Sequence, residues 1–198
     1  MSDSVLRGES YMSADTLRIY VASLSDYNAG ILHGRWIDAD QDVDTIHEEI
    51  ANMLKESPAA QNGDVAEEYA IHDYDGFGGF NLGEFESLEK ITAIAKALDE
   101  YPSVVVAHYF TENSHLEPDE ILPKIQEGLV TTITECWGDE TKALAEYLYD
   151  DIESELPERF KSHTQAVAES MAHDYLQGGD YYVIYEGGGT YHILDSHA

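Results

Sequence analysis

The sequence has 198 residues, and its 40 acidic against 10 basic side chains give a formal net charge of -30 at pH 7. With 43% hydrophobic and 11% aromatic residues, it is too apolar for an acidic disordered tail, so we predict a folded protein. A single cysteine excludes an internal disulfide framework and a cysteine-based zinc site. No apolar leader follows a basic stretch, and no segment approaches the roughly 20 apolar residues of a membrane span. We therefore expect a soluble, cytoplasmic protein that binds basic protein surfaces rather than nucleic acid or membranes.

The first part of the chain predicts a small α+β domain over residues 17–80, after a loose lead-in at 1–16. Alternating, β-rich runs predict three strands, at 17–24, 35–39 and 67–74. An amphipathic pattern predicts a helix over 45–55, with Thr45 and Glu48 as its capping box. Turn-forming residues predict loops at 25–34 and 57–64.

The middle of the chain, residues 81–127, predicts a mostly helical domain. Three patterned segments follow one another, at 81–101, 104–109 and 118–127. Asn81 and Glu84 fit a capping box for the first helix, and Pro102 ends it. The second segment is a short apolar run that fits either a strand or a buried helix. In the third, Pro123 kinks the helix or delays its start.

Residues 128–198 predict a second α+β domain. Its patterns give a strand, two helices and a closing hairpin, at 129–136, 139–155, 162–177 and 180–194. Ser162 and Gln165 fit the cap of the second helix, Gly178 and Gly179 end it, and glycines 187–189 form the hairpin turn. The fold class is therefore α+β, with three small domains in series.

The helix predicted at 139–155 indicates what the acidity is for. Projected at 100° per residue, Asp139, Glu146, Asp150 and Glu153 lie opposite Leu148. Acids four residues apart are separated by about 6 Å of rise, close to the phosphate spacing along a nucleic-acid strand. A solvated helix face is the alternative for any one helix. Every predicted helix repeats the pattern, however, and two copies of the chain would hold about 60 negative charges, as ~30 base pairs do.

The run from Asp38 to Glu49 resembles a calcium-binding loop, because Asp38, Asp40, Asp42 and Glu49 occupy places 1, 3, 5 and 12. The sixth place, where such a loop needs glycine, is Val43, so this pattern favours weak calcium binding over a true EF-hand.

No group of residues has a catalytic pattern. The glycine clusters lack the context of a phosphate loop, the nine histidines form no HExxH motif, and no serine lies in a GxSxG elbow. Cys136 beside Trp137 is typical of a core residue. We predict that the protein is not an enzyme and has no cofactor or structural metal.

The segment 19–38 resembles the start of the ArdA antirestriction family, which opens with the pattern YV…L..YN.G.L.G.W.D. The residues that match it are Tyr20, Tyr27, Asn28, Gly30, Leu32, Gly34, Trp36 and Asp38. The stretch 68–74 with the Gly-Phe segment after it, and the closing tyrosine-rich hairpin, are also similar to the family. The lead-in at 1–16 and the segment 118–123 have no counterpart in it.

The resemblance implies a DNA mimic, carried by mobile genetic elements, that inhibits type I restriction–modification enzymes by occupying the DNA-binding groove of the methyltransferase core. It also implies a curved, elongated homodimer of three-domain subunits, with the dimer contact near the C-terminal domain. The family has no catalytic residues to transfer, so we expect binding through a distributed acidic surface. The acids expected to mimic phosphates are Asp38, Asp40, Asp42, Asp44, Glu48, Glu49, Glu67, Glu68, Asp73, Asp75, Glu84, Glu86, Asp99, Glu100, Asp119, Glu120, Asp139, Glu146, Asp150 and Glu153.

Two other functions fit the composition. The acidity could belong to a halophilic protein of some other function, which would unfold when molar salt is removed. The run 38–49 could belong to a calcium-responsive binding protein, which calcium, but not magnesium, would stabilise against heat.

Overall fold

A computed structural model describes residues 16–63 and 65–198, so the predicted lead-in up to residue 15 and Asp64 lie outside the described residues. The chain is α+β, 51% helical, with two small antiparallel sheets. It divides into two compact units, Met1–Leu122 and Pro123–Ala198. The finer division into three domains, with boundaries after residues 80 and 127, stays a prediction.

The sheet of the first unit has three antiparallel strands in the order β2–β1–β3. They are β1 (Arg18–Ser23), β2 (Gly34–Asp38) and β3 (Tyr69–Asp75). Because alternate residues of a strand point to opposite faces, Ile19, Val21 and Ile37 are buried on one face. Tyr20 and Trp36, which are opposite each other in the register, lie on the other. All three predicted strands of this unit are confirmed.

The described part of the first unit also contains helices. They are α1 (Leu24–Asn28), α2 (Val43–Lys55), α3 (Pro58–Gln61), α4 (Leu88–Glu100), α5 (Ser103–Glu112) and α6 (Pro118–Gly128), the last of which contains the division between the units. Helix α2 contacts β1 and β2, and its buried face consists of Ile46, Ile50, Met53 and Leu54. The apolar run 104–109, which fitted two structures, is part of helix α5.

Two predicted loops contain short helices. The first residues of the segment 25–34 belong to helix α1. The Ser23 hydroxyl caps this helix by accepting a hydrogen bond from the Asp26 amide. The segment 57–64 contains α3, which Ser57 caps in the same way through the Ala60 amide. Both serines are fully buried, so these caps belong to the core rather than to flexible connections.

The predicted capping boxes at 45/48, 81/84 and 162/165 are wrong. Helix α2 begins earlier, with Asp42 in the cap position. The cap of helix α4 lies six residues later than predicted, at Ser87, whose hydroxyl accepts a hydrogen bond from the Lys90 amide at 3.2 Å. Gly83, a poor helix former, lies between the predicted and the observed start.

The second unit combines two helices with a three-stranded antiparallel sheet in the order β4–β6–β5. Its elements are β4 (Leu129–Ile133), α7 (Glu140–Glu155), a 3-10 helix (Glu158–His163), α8 (Thr164–Gly178), β5 (Tyr181–Gly187) and β6 (Thr190–Asp195). Helices α7 and α8 pack on each other and on the sheet around Leu144, Ile152 and Ile193. The cap residue of α8 is His163 rather than Ser162, and Gly179 ends the helix with a φ of 77°. The closing hairpin is confirmed.

Candidate functional site

The acidic side chains predicted to mimic phosphates lie almost entirely at the surface. Of the twenty, only Glu49, Glu86 and Glu153 are half-buried, and all the others are exposed. They occur in strands, helices and connecting segments of both units, so no single element gathers them. Burying so many charges would require a partner for each, and a solvated surface avoids that requirement.

Few of these carboxylates are neutralised by a basic side chain. Within the described residues, the ion pairs made by Lys and Arg are Arg18–Asp75, Arg35–Glu56, Lys90–Glu86 and Lys161–Glu158, with N–O distances of 3.0–3.4 Å. These pairs are at least partly exposed to solvent, where such an interaction contributes only about 0–1 kcal/mol. The surface therefore keeps most of its formal negative charge.

Helix α7 presents acids at the spacing that the sequence predicts. Asp139 caps the helix, since its Oδ1 accepts a hydrogen bond from the Lys142 amide at 3.0 Å. Glu146 and Asp150 follow on the exposed side, while Glu153 is half-buried. An anionic side chain at the helix N-terminus interacts favourably with the helix dipole, so Asp139 stabilises the element that displays the others.

The calcium-loop hypothesis does not fit the local structure. Helix α2 already begins at Val43, so the second half of the supposed loop is helical. Glu49 lies within this helix and its Oε1 accepts a hydrogen bond from Gln41 Nε2 at 2.8 Å. Among residues 16–63 and 65–198, no three His, Cys, Asp or Glu side chains are grouped so that they could hold a metal ion.

One acid that the sequence did not single out is buried. Asp26 lies in α1 with no exposed surface, and its Oδ1 accepts a hydrogen bond from the Ala59 amide of α3 at 2.8 Å. Burial acts to raise the pKa of Asp26, but the hydroxyls of Ser23 and Ser57, the Ala59 amide and the nearby His33 together hold this pKa below its usual value. Asp26 thus stays ionised and ties two short helices together.

A buried histidine lies in the central strand of the second unit. Thr132 Oγ1 lies 2.9 Å from His192 Nδ1, and Glu186 Oε2 lies 3.1 Å from its Nε2. Burial lowers the pKa of His192, although Glu186 opposes this shift. The neutral ring fits both contacts, because Nε2–H donates to the carboxylate and Nδ1 accepts from the hydroxyl.

Cys136 has the properties of a core residue, as its position beside Trp137 predicts. It is buried, and burial, together with the nearby Glu146 carboxylate, raises the pKa of its thiol. A thiol with a raised pKa has little of the thiolate form that a nucleophile needs.

The model of the antirestriction protein family ArdA matches residues 19–189. The chain belongs to the ArdA antirestriction family. A search of curated protein sequences finds no match to the chain.

Membership in the ArdA family implies an antirestriction function and an interaction with restriction–modification enzymes. The family consists of inhibitor proteins rather than enzymes. In the described part of the chain, no helix has both the length and the apolar character that crossing a membrane requires.

Six of the eight residues that resemble the family pattern lie in β1, α1 and β2, and Gly30 and Leu32 lie in the connection between α1 and β2. Tyr20 lies in β1, Tyr27 in α1, and Trp36 in β2. The Tyr27 ring meets the His72 ring edge-on with centroids 4.6 Å apart, and Tyr20 packs against Trp36 at 5.5 Å. The pattern residues Tyr20, Tyr27 and Trp36 therefore take part in aromatic contacts of the first unit.

Proposed function

We propose that this member of the ArdA family is a DNA mimic that occupies the DNA-binding groove of type I restriction–modification enzymes and blocks restriction and modification. The observation that supports this proposal most is the distribution of exposed acids over both compact units. Twenty-five of the 40 acidic residues belong to the first unit and fifteen to the second, while the ten basic residues divide into six and four. Both units are thus strongly negative.

A groove that binds DNA is lined with Lys and Arg that neutralise phosphates. On helix α7, Glu146 and Asp150 are one turn apart, which is about 6 Å of rise and similar to the spacing of successive phosphates. A protein surface with this charge density attracts the same cations, and binding releases counterions as DNA binding does. The contact needs neither a cofactor nor a catalytic residue.

We propose further that the protein acts as a homodimer of elongated, three-domain subunits, with its contact in residues 128–198. Two copies hold about 60 negative charges, roughly the charge of ~30 base pairs. A mimic with the charge of that many base pairs suits a groove that holds a duplex over several turns. Molecular mass in solution, from light scattering, tests the dimer directly.

The decisive experiment is competition for the groove. A fluorescent duplex bound to the methyltransferase core of a type I enzyme is titrated with the protein at two salt concentrations. We expect displacement at near-stoichiometric protein and a clear loss of affinity at the higher salt concentration. No displacement by a protein that circular dichroism shows to be folded, or an affinity that does not change with salt, would contradict the proposal.

A charge variant with matched shape sharpens the test. Replacing Glu146 by Gln and Asp150 by Asn removes two charges from α7 while keeping the size of both side chains. We expect weaker displacement and a smaller salt dependence than for the wild type. The change of Ser154 to Ala, at another exposed position of α7, leaves the charge unaltered and serves as the control.

A further inference from the structure

The outward face of the first sheet holds a basic residue among aromatic and acidic ones. In the strand register, Arg18 of β1 lies opposite Asp38 of β2 and Asp75 of β3. Two residues along β1, Tyr20 lies opposite Trp36 and Asp73. Residues opposite each other share a face, so three carboxylates lie on the same face as two rings and one guanidinium.

The Tyr20 ring packs against the backbone of β2. Gly34 has no side chain, and a Cβ there would lie 2.8 Å from Tyr20 Cζ, so the Tyr20 ring lies directly over this glycine. The Tyr20 and Trp36 rings pack against each other with centroids 5.5 Å apart. Trp36 nevertheless keeps 39% of its surface exposed. The aromatic surface is therefore both ordered and accessible.

Arg18 uses this surface in the free protein. Its guanidinium carbon lies 4.7 Å from the centroid of the Trp36 ring, and its Nη2 lies 3.1 Å from Asp75 Oδ2. Stacking on the ring and pairing with the carboxylate are the two interactions that guanidinium groups favour. Because both interactions are exposed to solvent, each is weak and the side chain can be displaced.

We propose that Trp36, Tyr20 and Asp75, with Asp38 and Asp73 beside them, form a guanidinium-binding site, and that an arginine from the basic groove of the restriction–modification enzyme replaces Arg18 there. The assignment of the partner rests on the proposed function. Arg18 shows that a guanidinium fits the ring and the carboxylate together, and the net charge of -30 favours exchange for a cation of another molecule. Lysine, a compact charge without a planar face, fits this site less well.

The first test does not need the enzyme. Trp36 fluorescence is recorded in a Trp137→Phe background while octa-arginine or octa-lysine, peptides of equal charge, is added. Arg18→Gln frees the site, whereas Arg35→Gln removes an equal charge from a residue of β2 that pairs with Glu56 at 3.0 Å. We expect octa-arginine to bind the Arg18→Gln protein about two- to fivefold more tightly than the Arg35→Gln protein. Octa-lysine should not distinguish them.

Equal binding of octa-arginine to the two variants, with circular dichroism showing both to be folded, would overturn the guanidinium site. So would a preference for Arg18→Gln that octa-lysine shows to the same degree, since this would reflect charge alone.

The second test uses the methyltransferase core. Trp36→Leu should weaken displacement of the duplex by about fivefold with little change in salt dependence, because it removes a stacking surface and no charge. Trp36→Phe should retain part of the affinity, and Arg18→Gln should bind more tightly than Arg35→Gln. If the wild type displaces the duplex while Trp36→Leu does so equally well, the inference is wrong and the proposed function stands. If the peptide test succeeds but the wild type displaces no duplex, the guanidinium site stands and the proposed partner is wrong.

Discussion

Replacing the buried Asp26 should destabilise the first unit more than replacing any exposed acid. Asp26→Ala removes the acceptor of the 2.8 Å hydrogen bond from the half-buried Ala59 amide and leaves that amide without its carboxylate partner. Hydrogen bonds to charged groups contribute about 1.5–3 kcal/mol, so we expect the free energy of unfolding to fall by about 2–3 kcal/mol. Asp26→Asn keeps an acceptor oxygen and should cost about 1 kcal/mol.

Urea unfolding followed by Trp36 fluorescence in a Trp137→Phe background measures this loss, because Trp36 belongs to the first unit. Asp40→Ala is the control, since it removes the same charge from an exposed position and relieves repulsion. An unchanged urea midpoint for Asp26→Ala would refute the assignment of Asp26 as the tie between α1 and α3.

The effect of Asp26 should also depend on pH, with a definite sign. Its pKa in the folded protein lies below the ordinary value of 3.8, so the folded state binds fewer protons there than the unfolded state. The stabilisation is complete above about pH 3.8 and is lost as the pH falls through the lower folded pKa. The difference between the wild type and Asp26→Asn should therefore shrink in acid.

Four further outcomes are expected. Because the charge is redundant, Glu146→Gln alone should weaken inhibition less than tenfold, and loss of all binding by a folded variant would contradict a distributed surface. Tyr191→Asp places a charge at a buried position and should disrupt folding of the second unit or dimerisation of the protein. Molecular mass and melting temperature measure these effects, and if both stay unchanged, this reasoning is wrong. Gly34→Ala should lower the melting temperature and shift Trp36 fluorescence, since its Cβ would lie 2.5 Å from a backbone oxygen. Because the pKa of His192 is depressed in the folded protein, the second unit should lose stability as pH falls below about 6.5. His192→Gln should lessen this loss of stability, which thermal unfolding followed by Trp137 fluorescence measures.

The sequence predicted those elements whose signals are local. Alternation identified β1, in which Ile19 and Val21 are buried, and the glycines at 178–179 and 187–189 marked the end of α8 and the hairpin turn. Helix starts were harder, because a residue such as Asn81 can fit a capping pattern even when the apolar stripe begins only at Leu88.

Contacts between distant parts of the chain were beyond the sequence patterns. Asp26 is one of 40 acids, and its burial depends on an amide 33 positions along the chain. Arg18 and Asp75 are 57 positions apart, and the bulge after Tyr20 shifts the strand register that brings them together. Exposure of the predicted acids could be expected from their charge alone. The aromatic surface among them could not be expected, because it depends on how the strands pair in the sheet.

The like-charged face of helix α7 has a consequence for the free protein. Glu146 and Asp150 repel each other across one helical turn, which is shorter than the Debye length of about 10 Å at 0.1 M ionic strength. Dissolved cations shield this repulsion, so added salt should stabilise the unbound fold while it weakens the complex. In the complex that we propose, the fixed cations of the groove would replace the mobile ones. The partner then provides the shielding that the solvent provides when the protein is alone.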